Sequence, residues 1–128
     1  MKKGLHIGST ASINVEVTRD MFAQFDEEVV HPTYSTVSMV YHMELVSRKL
    51  LLPYLETDEE GMGASVTVKH IAPSGLGSTI DVTATVLKVD ERAVVTEVLL
   101  KNEHGIIGKG EVKQAVIPKK VINERIGS

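Results

Sequence analysis

At 128 residues the chain has room for a single core and reads as one domain over 1–128. It is 42% hydrophobic and 24% charged, near the soluble globular average, which excludes a disordered or collagen-like chain. A net charge of −3 argues against nucleic acid as a partner, and zero cysteines exclude a disulfide scaffold, a thiolate metal site and a cysteine nucleophile. Met1-Lys2-Lys3 leads into no apolar stretch of signal-peptide length. No window approaches the ~18 consecutive apolar residues of a membrane span, so the expectation is a soluble, cytoplasmic domain.

Aromatic residues are scarce, so Val, Ile, Leu, Met and Ala must build the core. The first run, 11–18, alternates Ile13, Val15 and Val17 with Ser12, Asn14 and Glu16, which predicts a strand. Residues 19–34 read as a turn of helix over 19–25 and then an irregular segment through His31-Pro32. One long helix is predicted over 36–52, with Ser35 or Thr36 as its cap and Pro53 at its end. Four extended runs follow at 62–72, 79–90, 92–103 and 106–117. Pro73-Ser74-Gly75, Asp90-Glu91 and His104-Gly105 separate them, the last two short enough for hairpins. The acidic runs Asp26-Glu27-Glu28 and Glu56-Thr57-Asp58-Glu59-Glu60 read as solvated loops. This order predicts an α+β chain: an antiparallel five-stranded sheet wrapped around one long central helix, the hotdog architecture.

Rotating the helix by about 100° per residue puts Ser38, His42 and Lys49 on a polar edge. Glu44 then projects roughly 140° from that edge, amid apolar residues, and Thr36 points into the same arc about 12 Å away along the axis. An unpaired buried carboxylate is costly, so a Glu44–Arg48 pair at i, i+4 is the plain structural alternative. Helix capping is the plain alternative for Thr36. On the strand, Ala64, Val66, Val68, His70 and Ala72 share one face, which sets His70 on the core side. A core histidine bonded to a carbonyl is the ordinary reading of such a position. A His and a Glu on facing elements would also tune one another's protonation, the basis of acid–base chemistry near neutral pH, and the Thr36 hydroxyl would complete a nucleophile–acid–base set. His31, His42 and His70 are not expected to bind a metal, because His42 lies along the polar edge. Gly75-Leu76-Gly77 opens no helix and reads as a turn, not a phosphate loop.

Thr36-Val-Ser-Met-Val-Tyr-His-Met-Glu44, then Pro53-Tyr54-Leu55-Glu56, then Gly61-Met-Gly63-Ala-Ser-Val-Thr-Val-Lys-His70-Ile-Ala-Pro-Ser-Gly75 resembles the fluoroacetyl-CoA thioesterase family of hotdog proteins. The resemblance runs over nearly the whole chain and is densest over residues 34–78. It implies hydrolysis of a small acyl-CoA thioester to free acid and CoA. It also implies Thr36, Glu44 and His70 as the catalytic set, Gly63 as the glycine that lets the backbone approach the acyl group, and a homodimer with sites at the interface. No cofactor is implied, coenzyme A being part of the substrate. The fluoroacetyl-specific member carries a phenylalanine lid shortly before the catalytic threonine; here Val30 stands at the matching position, with Tyr34 nearby as a second substrate-binding candidate. The expectation is therefore hydrolysis without fluoroacetyl specificity.

Under that resemblance His70 would take a proton from water or from Thr36 and return it to the leaving thiolate. Glu44 would either orient His70 or attack the carbonyl itself. Two other readings compete. A non-catalytic acyl-CoA-binding module or sensor would have no need of an acid and a base together. A hotdog enoyl-CoA hydratase usually carries its Asp and His close together in one segment, and no such segment stands out. Sheet edges left open in so small a domain also favour pairing of two copies.

Overall fold

The computed structural model describes residues 1–127. In chain order its elements are β1 (Thr10–Glu16), a 3-10 turn (Arg19–Met21), β2 (Phe22–Phe25), β3 (Glu28–Tyr34), α1 (Thr36–Leu51), a second 3-10 turn (Leu52–Tyr54), β4 (Glu59–His70), β5 (Thr79–Val89), β6 (Ala93–Asn102), β7 (Gly105–Pro118) and α2 (Lys119–Arg125). Five strands form one antiparallel sheet in the order β1-β5-β6-β7-β4, so β1 and β4 are its edges. This is the hotdog arrangement expected from the alternating pattern.

The sheet wraps α1 because every strand presents one apolar face to it. Ile80, Val82, Ala84 and Val86 of β5, Val94, Val98 and Leu100 of β6, and Val112 of β7 join Met39, Met43, Val46 and Leu51 of the helix in one buried cluster. Each such side chain contributes about 1.5–3 kcal/mol by leaving water. Ser35 is the helix cap, its hydroxyl accepting from the Ser38 N–H at 2.9 Å. Two glycines of β7 let the helix lie close: a Cβ on Gly108 would sit 2.6 Å from Met39 Sδ, and one on Gly110 would sit 2.8 Å from Met43 Cε. Ser47 and Thr96, both fully buried, satisfy each other across the helix–sheet interface at 2.7 Å.

The structure departs from the sequence expectation in four places. Residues 22–34 form a hairpin, β2 with β3, rather than a helical turn and an irregular segment. Its turn holds Asp26 and Glu27 at φ 52° and 67°, a pair less suggestive of a primed hairpin turn than Asn-Gly, and Pro32 argued against a strand. β4 begins at Glu59, inside the acidic run, because Glu59 and Glu60 pair with Pro118 and Ile117 at the end of β7. A short helix, α2, follows β7. Finally, α1 is rotated from the expected orientation: His42 is buried at 7% exposure, while Glu44 is exposed. Apolar residues nearly encircle this helix, so periodicity alone left its inward face ambiguous. No helix among the described residues is long and apolar enough to cross a membrane.

Candidate active site

The N-terminus of α1 and the C-terminal end of β4 meet at the first two candidate residues. The Thr36 hydroxyl and His70 Nδ1 are hydrogen-bonded at 2.8 Å. With Ser35 serving as the cap, the Thr36 side chain is left for this contact. His70 is half-buried on the inner face of β4, alternating with exposed Lys69 and following half-buried Val66 and Val68. In the tautomer with Nδ1 free, the Thr36 hydroxyl donates to it, the geometry a base needs to draw a proton from an alcohol or a water held there. The first turn of any helix also leaves N–H groups without intrahelical partners; here Thr36 opens that turn, and the Ser35 cap takes the Ser38 N–H.

Beneath the pair lies a group that the sequence reading misplaced. His42 is not on a solvent edge: Tyr34, at 1% exposure, hydrogen-bonds its Nδ1 at 2.6 Å, and the two rings stack. Burial holds the His42 imidazole below its usual pKa and pushes the Tyr34 phenol up, so both stay neutral. The Tyr34 ring also meets His70 edge-on at 6.5 Å between centroids. Tyr34, expected to line the acyl pocket, instead forms the floor under His70. A tyrosine eight positions before a helical histidine was the available signal.

Glu44 stands apart from this pair. It is one turn past Tyr41 on the exposed side of α1, with its carboxylate over Gly63: a Cβ there would lie 3.3 Å from Glu44 Oε1. Gly63 and His70 are seven residues apart on β4, about 20 Å or more of strand. One chain therefore brings Thr36 and His70 together and does not bring Glu44 to them. The i, i+4 alternative for Glu44 also fails, because Arg48 pairs with Glu60 Oε1 at 2.9 Å and donates to the Gly61 carbonyl. Among the described residues Glu44 makes no ion pair or hydrogen bond. Its surroundings form a cavity of about 300 Å³ lined by Glu44, Tyr41, Arg48, Gly61, Gly63 and Gln114, together with Leu45 and Val112. Val30, 54% exposed on β3, is not among its lining residues. No three His, Asp or Glu side chains converge as metal ligands among the described residues.

Residues 17–120 match the fluoroacetyl-CoA-specific thioesterase family. This chain belongs to that family. It is 28% identical to the fluoroacetyl-CoA thioesterase of Streptantibioticus cattleyicolor over 132 aligned residues, which cover 98% of this chain and 95% of that protein. A crystal structure of a Thermus thermophilus hypothetical protein, described as a thioesterase superfamily member, superposes with a TM-score of 0.92 at 36% identity, covering 97% of this chain and 92% of that one. A solved structure of the fluoroacetyl-CoA thioesterase gives a TM-score of 0.89 at 26% identity, covering 97% and 96%. Another structure of that enzyme, a mutant at 26% identity and a TM-score of 0.84, holds fluoroacetate and CoA; it covers 93% of this chain and 100% of that one. In this member of the fluoroacetyl-CoA-specific thioesterase family, then, Val30 stands on an exposed hairpin while Tyr34 is sealed beneath the helix start.

Proposed function

We propose that this chain hydrolyses short acyl-CoA thioesters to free acid and CoA, without fluoroacetyl selectivity, as a cytoplasmic homodimer that needs no added cofactor. The observation that carries the reading is the Thr36–His70 hydrogen bond at the helix N-terminus. Family membership supplies the reaction class, and the site supplies the groups. The thioester oxygen would lie against the free N–H groups of the first helical turn, which stabilise the charge developing there. In the direct route Glu44 holds the water, His70 takes its proton as the oxygen adds to the carbonyl carbon, and the C–S bond then breaks with His70 passing that proton to the departing thiolate. In the covalent route Glu44 attacks, and the C–S bond breaks as the anhydride forms, with protonated His70 giving its proton to the thiolate. Water then opens the anhydride and returns a proton to His70.

The separation of Glu44 from His70 supports the dimer. β4 is a sheet edge with one row of backbone groups unpaired. Antiparallel pairing of β4 with itself about a two-fold axis near Val66–Thr67 would lay the Gly63 end of one copy beside the His70 end of the other. Glu44 would then face Thr36 and His70 of the partner subunit. The same pairing would cover Val37 and Tyr41, 69% and 62% exposed on α1, and Met62 on β4.

A thiol-release screen across acyl-CoA chain lengths tests the reading. Turnover of several short acyl-CoAs, with fluoroacetyl-CoA not preferred over acetyl-CoA, is the expected result. CoA binding without thiol release from any of them would instead make the chain a binding module.

A further inference from the structure

The cavity beside Glu44 is lined in part by a buried amide, that of Gln114. Gln114 projects from the inner face of β7 between Val112 and Val116, in a row that is otherwise apolar. It is 4% exposed, and its Nε2 has no hydrogen-bond partner among the described residues. An unpaired buried amide opposes folding, which is hard to explain at a position a leucine could fill. Gln114 is the register partner of Gly63, the residue against which Glu44 rests, and adjacent strands run about 4.8 Å apart. The amide is thus one strand away from the carboxylate assigned to the reacting carbonyl. A Cβ on Gly61 would meet Gln114 Oε1 at 3.5 Å, an ordinary van der Waals contact, so the amide lies beside the Gly61 end of β4.

The charges around the cavity narrow what could satisfy it. Arg48 is its one cation among the lining residues, and Glu60 already engages that guanidinium. Glu44 carries a second, uncompensated negative charge, so the cavity disfavours an acyl chain ending in a carboxylate. A volume of about 300 Å³ lies at the small end for ligand sites.

We propose that this cavity is an acyl-chain subsite selecting short acyl groups that carry a neutral oxygen, a hydroxyl or keto group, on the third carbon. Gln114 Nε2 donates to that oxygen while Glu44 addresses the carbonyl. The proposal rests on the thioesterase reading for the reaction but on Gln114 alone for the selectivity.

The test compares kcat/KM for 3-hydroxybutyryl-CoA, butyryl-CoA and malonyl-CoA in the full chain and in Gln114→Met, which keeps the length and removes the donor. The wild type is expected to prefer 3-hydroxybutyryl-CoA over butyryl-CoA by about tenfold or more, since an analogue lacking the oxygen leaves the amide unpaired. Malonyl-CoA should be the poorest of the three. Gln114→Met should bring the first ratio close to one, the larger loss of rate falling on the hydroxylated substrate. Equal rates in the wild type, an unchanged ratio in the variant, or a preference for malonyl-CoA would overturn the proposal. Affinities for the same ligands, by calorimetry on both proteins, separate the two readings. A Gln114-dependent preference in binding without thiol release would sink the hydrolase and keep the subsite. Equal affinities with normal hydrolysis would do the reverse.

Discussion

His42 and His70 show how one residue type takes two roles through its surroundings. His42 is walled off from water with Tyr34 as its partner, and desolvation depresses its pKa. Its folded pKa lies below the ~6.5 of a free histidine, so the unfolded chain binds the proton more readily. The stability from keeping it neutral is present above pH ~6.5 and is lost as pH falls through that value toward the folded one. Urea denaturation should therefore show stability declining between about pH 7 and about pH 5, before the carboxylates held by Arg48 and by the N-terminus begin to titrate. Tyr34→Phe strands the imidazole and should cost about 1–3 kcal/mol. The double variant Tyr34→Phe, His42→Leu should recover much of that and lose the slope, and a slope that survives in it would assign the pH dependence elsewhere. His70, half-exposed on the Thr36 hydroxyl, has little packing to lose. His70→Ala should lower turnover about 10²–10⁴-fold while its melting temperature stays near that of the wild type. Near-normal activity in that variant would return His70 to the status of an ordinary half-buried histidine.

At the scale of elements, the β4–β7 pair carries both architecture and chemistry, and its glycines divide accordingly. A Cβ on Gly110 would fall 1.8 Å from the Thr67 carbonyl oxygen of the neighbouring strand, and backbone cannot yield that far. Gly110→Ala should destabilise the fold by about 3 kcal/mol or more, through overpacking, as read by the urea midpoint. A Cβ on Gly63 meets only the end of the exposed Glu44 side chain, at 3.3 Å. Gly63→Ala should leave the urea midpoint nearly unchanged and lower kcat about tenfold to a hundredfold, because it displaces a carboxylate that must be held in place. A Gly63→Ala enzyme with full activity would remove Glu44 from the reaction. Glu44→Gln should itself leave stability unchanged, since no ion pair is lost, and turnover should collapse.

For the whole molecule, the distance along β4 between Gly63 and His70 makes a testable statement about assembly. If Glu44 of one copy serves Thr36 and His70 of another, inactive Glu44→Gln and His70→Ala chains should complement each other. Half of randomly mixed dimers are hybrids, and each hybrid has one intact site of two, so about a quarter of wild-type activity should return after unfolding and refolding together. No recovery in a mixture shown by mass spectrometry to contain hybrids would place the whole site within one chain. Analytical ultracentrifugation finding a monomer at micromolar concentration would remove the shared site altogether.

The sheet, the long helix and the candidate residues Thr36, Glu44 and His70 were legible because each depends on local pattern. Strands at 79–90, 92–103 and 106–117 alternate in and out with short turns between them, and the structure holds them to within one residue at each end. The spacing of Thr36, Glu44 and His70 is likewise a property of the chain, as is the resemblance it carries. What the pattern could not decide was the rotation of α1, since Val37, Val40, Tyr41 and Leu45 make the outer side nearly as apolar as the inner. Which side turns inward depends on the partners that meet it. Tyr34 is available to satisfy a buried His42, and Gly108 and Gly110 make room for Met39 and Met43. The same holds for Arg48, whose choice of Glu60 over Glu44 depends on β4 beginning early enough to place that carboxylate beside it. Periodicity is a one-body property of each element, whereas burial of a polar side chain is set by the two groups that meet, and only the tertiary structure brings them together.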